Sequence, residues 1–97
     1  MYFGVIKILF EDDGFDDETN HSVRRKCCGL LRKKFAVAAK HCEREHGIVV
    51  SVIKDSETAI EVFFNQMGEF IENSGTGRIS NEWHLIEPVD LLMEETE

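Results

Sequence analysis

The chain has 97 residues, 42% of them apolar and 31% charged, with eleven Lys and Arg against nineteen Asp and Glu for a formal charge of −8. This is the size and balance of one small globular domain, too apolar for a disordered tail and without the roughly 18-residue apolar run a membrane helix needs. Three cysteines, two of them adjacent (Cys27, Cys28), cannot form a closed disulfide framework, and no basic segment precedes Tyr2-Phe3-Gly4-Val5-Ile6 as in a signal peptide, so the sequence reads as a reduced, cytoplasmic protein.

Residues 2–10 are β-branched and aromatic and nearly uncharged, which predicts a strand buried on both faces. It stops at the acidic turn Glu11-Asp12-Asp13-Gly14. A helix is expected from about Asp16 to Lys34, capped by Asp16 or Asp17, with Val23, Cys27, Leu30 and Leu31 as its apolar stripe. Acidic residues at its start and Arg32, Lys33 and Lys34 at its end suit the macrodipole. Gly29 inside it costs about 1 kcal/mol relative to Ala, which close packing on a sheet would excuse.

Residues 35–42 fit either a continued helix or a strand with Phe35, Val37, Ala39 and His41 on one face; the strand is favoured, because Ile48–Ile53 is plainly a strand and needs a hairpin partner across a turn near Glu43 to Gly47. A second helix, capped by Asp55 or Ser56, presents Ile60, Phe63, Phe64, Met67, Phe70 and Ile71 on one face and ends in the glycine-bearing stretch 73–77. Residues 78–87 alternate as a half-buried last strand stopped by Pro88. Leu91, Leu92 and Met93 are expected to dock weakly, closing a single domain over residues 1–93, with 94–97 as an acidic tail. The order β-α-β-β-α-β with right-handed crossovers predicts an α+β, ferredoxin-like fold: four antiparallel strands with two helices on one face.

Residues 21–44 hold eight basic side chains against one acidic, while the remainder holds three against eighteen. Arg24, Arg25, Arg32 and Lys33 flank or oppose the apolar stripe, forming a ridge that would meet RNA phosphates; the same ridge also suits a merely solvated helix face. The cluster Glu11, Asp12, Asp13, Asp16, Asp17 and Glu18 lacks EF-hand spacing and reads as a loop and helix cap, or as a protein-binding patch. His41, Cys42 and His46 have no paired Cys-x-x-Cys partner, so neither a metal nor a cofactor is expected. No nucleophile elbow, phosphate loop or glycine fingerprint occurs, so the expectation is a binding protein, not an enzyme. Tyr2, Phe3 and Trp83, if gathered on the sheet face the helices leave open, would make an apolar patch for a homodimer or another protein partner.

The stretch Leu30-Leu31-Arg32-Lys33-Lys34-Phe35-Ala36-Val37, the early Gly4-Val5, the helix ending in Phe70-Ile71-Glu72 and the last strand with Glu87 resemble the YlxP-like family of bacterial proteins (domain of unknown function 503). The resemblance implies a ferredoxin-like fold. Through the family's gene neighbourhood among translation-initiation and ribosome-maturation genes, it also implies an RNA or ribosomal partner.

Overall fold

The computed structural model describes residues 1–12, 14, 16–42 and 44–89. The expected docking of Leu91, Leu92 and Met93 and the acidic tail lie outside the described residues. The elements are β1 (Tyr2–Phe10), α1 (Asp17–Phe35), β2 (Ala38–Cys42), β3 (Gly47–Lys54), α2 (Glu57–Asn73) and β4 (Ile79–Pro88). The strands form one sheet in the order β2-β3-β1-β4, every neighbouring pair antiparallel. This is the ferredoxin-like arrangement the pattern predicts.

Residues two apart on a strand share a face. Gly4, Ile6, Ile8 and Phe10 of β1, with Ile48 and Val50 of β3 and Ala39 of β2, are buried on one face. Cys27, Cys28 and Leu31 of α1 and Ile60, Phe63, Phe64, Met67 and Ile71 of α2 join them in a single core, so both helices cover the same side. The closest approach is at Gly4: a Cβ there would stand 2.7 Å from Ile60 Cγ2, so only glycine lets α2 lie this near β1.

Local chemistry sets the boundaries. The Asp16 carboxylate accepts the Thr19 N–H at 2.7 Å, and Ser56 Oγ accepts the Ala59 N–H at 3.1 Å, capping the two helices. α1 runs through Phe35, whose ring packs edge to face on Phe63 and Phe70 at 5.3 and 5.5 Å. Ala36 then turns the chain in the left-handed conformation (φ 55°) while its N–H reaches the Arg32 carbonyl. The ambiguous segment is therefore divided: Phe35 is helical, Ala36 and Val37 turn the chain, and the strand is confined to Ala38–Cys42. It pairs with β3 as a hairpin partner should, from Ala38 opposite Ser51 to Cys42 opposite Gly47.

Two packing expectations need correction. α1 buries Asn20, Arg24, Cys27, Cys28 and Leu31, while Val23 and Leu30 are only half-buried; the inward face is rotated from the apolar stripe. β1 is not buried on both faces, since Phe3, Val5, Lys7 and Leu9 alternate with the core residues and remain half-exposed.

Candidate functional site

The side of the sheet away from the helices is the most distinctive surface. The registers set Val5 between Ser51 of β3 and Leu85 of β4, Lys7 between Val49 and Trp83, and Phe3 between Ile53 and Glu87. Trp83, Ile53 and Leu85 are 56%, 51% and 38% exposed, three of the five large apolar side chains the described chain leaves open to water. With Phe3, Val5 and Val49 they make an apolar surface interrupted at Lys7 and Ser51, the kind that marks an interaction site. Phe3 and Trp83 share this face as expected, about 13 Å apart along the strands. Tyr2 does not: it neighbours Phe3 in a strand of period two, so it points to the helix side and packs on the core.

The face is not wholly apolar. Lys7 Nζ lies 2.7 Å from Glu45 Oε2 in the β2–β3 turn, and this hydrogen-bonded carboxylate holds the Lys7 ammonium above its ordinary pKa. Cys42, on the same face of β2, is pushed up by burial against the opposing pull of Lys7. Burial likewise raises Cys27, and raises Cys28 to about 11. At neutral pH these thiols are protonated and poorly nucleophilic.

The basic ridge is only partly a surface. Arg25 and Lys33 are exposed, but Arg24 is 1% exposed and points into the fold. Its Nη1 donates to the Thr76 carbonyl at 2.5 Å, and its guanidinium sits 3.9 Å above the Phe10 ring. Gly77 makes room: its φ is +133°, and a Cβ there would come within 2.7 Å of Arg24 Nη1. Arg24 is therefore removed from the nucleic-acid-binding set. Arg32 remains at the surface, with its guanidinium donating to the Ala39 carbonyl at 3.0 Å from Nε. The acidic cluster is largely engaged in local structure. Asp12 accepts the Gly14 N–H, Asp16 caps α1, and Asp17 and Glu18 fill its first turn; Asp13 lies outside the described residues. Among the described residues no three His, Cys, Asp or Glu side chains gather as metal ligands; the rings of His21 and His41 meet at 4.7 Å.

Sequence reasoning missed Ile53 and Leu85, although both occupy the outward positions of strands whose register follows from the fold. It also missed that Asn20 and Arg24 continue the 27, 28, 31 face at helical spacing, a signal that was present but polar.

No family model and no curated protein matches the chain. Among solved structures it is similar to one described as the crystal structure of antibiotic biosynthesis monooxygenase, with a TM-score of 0.51 and 8% identity over 91% of this chain and 97% of the other. At that identity the likeness is one of fold. It nonetheless corrects the expectation that the chain is not an enzyme: the same architecture carries an enzyme there, so the lack of familiar motifs is no ground for setting catalysis aside. Among the described residues no helix is long and apolar enough to cross a membrane.

Proposed function

We propose that this chain works as a protein-interaction module through its helix-free sheet face, and that the occupant of that face is a second copy of the chain. One observation carries the reading: β1 bears large apolar side chains on both sides, with Lys7 the one charge among Phe3, Val5 and Leu9, yet that side is covered by nothing in the described chain. Charge supports a self-partner. The face bears Lys7 and Lys40 against Glu45 and Glu87, close to neutral, whereas the chain as a whole carries −8. Two acidic copies would meet there with least repulsion. Four strands at about 4.8 Å spacing and about 25 Å of strand give roughly 500 Å² per copy, or about 1,000 Å² per pair. That is the lower limit for a specific interface, so the association is expected in the micromolar range. The free thiols of Cys27, Cys28 and Cys42 fit a reducing cytoplasm.

Analytical ultracentrifugation across protein concentrations tests this. A mass rising from one copy to two is expected, with Trp83→Glu and Ile53→Glu weakening association at least tenfold while the circular dichroism spectrum is unchanged. A single-copy mass at every concentration overturns it. Sedimentation with ribosomes that is lost on reversing Arg25, Arg32 and Lys33 would instead favour the ribosomal partner the YlxP-like resemblance implies.

A further inference from the structure

The outward side of α1 is as regular as its inward side. At 3.6 residues per turn, positions seven apart return to nearly the same angle and lie about 10.5 Å apart along the axis. Arg25 and Arg32 are one such pair and Lys26 and Lys33 another, and the two pairs stand about 100° apart around the helix. All four residues are exposed, and so are Ser22 and Gly29, which fall between the two pairs. This side therefore presents two cationic rows with a low line between them.

A helix face that only meets water is stabilised by acids three or four residues from its bases. None is available here: no Asp or Glu occurs from Thr19 to Cys42, in a chain that has nineteen. Arg25, Lys26 and Lys33 make no ion pair with any described residue. Arg32 is held by the Ala39 carbonyl, which fixes its row on the β2 side while its five N–H donors leave some to spare. Gly29 is the second departure. Glycine weakens a helix interior, and since a Cβ there would meet nothing within 4 Å, no packing in the described chain calls for it. Its remaining use is to let something outside the chain approach the backbone closely.

The rows select the partner. An interfacial membrane helix turns an apolar side to the lipid, but Cys27, Cys28 and Leu31 face the core. Single-stranded nucleic acid is held by stacking on aromatic side chains, and this side of α1 has none. The major groove of B-form DNA, about 12 Å wide, admits a helix of about 10–12 Å diameter between two walls of phosphate, whereas that of A-form RNA is too narrow. Two rows of cations match two walls, and the low line lets the axis sink between them. The excess of acidic residues outside positions 21–44 repels DNA from the other surfaces and so orients its approach. Asp17 and Glu18, exposed in the first turn, bound the surface at its N-terminal end.

We infer that the outward face of α1 docks in the major groove of double-stranded DNA without reading its sequence. Arg25 and Arg32 meet the phosphates of one strand, Lys26 and Lys33 those of the other. This surface and the helix-free sheet face lie on opposite sides of the fold, so neither reading depends on the other.

Fluorescence anisotropy of a labelled mixed-sequence DNA duplex, titrated with the full chain at several potassium chloride concentrations, tests it. Saturable binding should weaken roughly a hundredfold between about 50 and 200 mM salt, as four phosphate contacts require. Lys26→Ala and Lys33→Ala should each reduce the salt slope by about 1. Gly29→Leu changes no charge and favours the helix, so it should melt no lower than the parent yet bind at least fivefold more weakly. No saturation at the lowest salt overturns the inference. So does duplex RNA bound as tightly as DNA, or binding to phosphatidylserine vesicles in place of DNA. Gly29→Leu binding as the parent does overturns it as well, since that marks diffuse attraction to a solvated basic face.

Discussion

The two sides of the sheet are built from the same strands with nearly the same kinds of residue, and they end in opposite environments. On one side Ile6, Ile8, Ile48 and Val50 lie under α1 and α2 with no measurable exposure. On the other, Phe3, Val5, Val49, Ile53, Trp83 and Leu85 face no element of the described chain. What separates them is topology: both crossover helices lie on one side, and no other element of the described chain covers the other. Hydrophobicity along a strand therefore records that both surfaces require burial, but not which partner supplies it.

The comparison can be broken by making the same change on each side. Ile6→Ala leaves a cavity beneath two helices and should cost about 2–5 kcal/mol. Val5→Ala, one residue away and facing outward, should cost well under 1 kcal/mol in the isolated chain and act instead on self-association. Urea denaturation at low protein concentration separates the two. Equal costs would mean that the outward face is already covered. α1 offers a second such pair, with a somewhat smaller effect. Arg24→Ala removes the guanidinium from Phe10 and leaves the Thr76 carbonyl short of a donor, at about 2–4 kcal/mol. Arg25→Ala, on the exposed side, should stay within about 0.5 kcal/mol. Denaturant midpoints for the two variants measure the difference, and near-equal values would place Arg24 outside the core.

These pairs also mark how far the sequence could be read. Element order, both helices, the hairpin and the sheet were legible because apolar periodicity and cap residues such as Asp16 and Ser56 are local signals that tertiary packing reinforces here. The orientation of α1 was not. An arginine was assigned to solvent by its charge, and nothing local reveals that Gly77, Phe10 and the Thr76 carbonyl, 52 residues or more from it or in another element, form its seat. Tyr2 was misplaced for a simpler reason: the period of two separates it from Phe3 whatever the fold.

Gly29 returns the comparison to single positions. It was expected to be excused by close packing, yet it is exposed and a Cβ there meets nothing within 4 Å. Gly29→Ala should therefore stabilise by about 1 kcal/mol, raising the melting temperature by several degrees. Gly4→Ala, in which the added Cβ would meet Ile60, should lower it. A Gly29→Ala variant no more stable than the parent would show that this stretch of α1 is covered after all.

The smallest effect belongs to Asp16, whose carboxyl lies below its ordinary pKa because it accepts hydrogen bonds from the Thr19 side chain and backbone. The sign follows from proton linkage. A carboxylate favoured in the folded state binds protons less readily there than in the unfolded chain, so its contribution is present above the unfolded pKa and fades as pH falls through the folded one. Asp16→Asn keeps a cap acceptor but cannot titrate. Its denaturant midpoint should match the parent's most closely at the acid end and fall behind as the pH rises past the ordinary aspartate range. A constant gap between the two from acid to neutral pH would show that the cap does not depend on the ionised carboxylate.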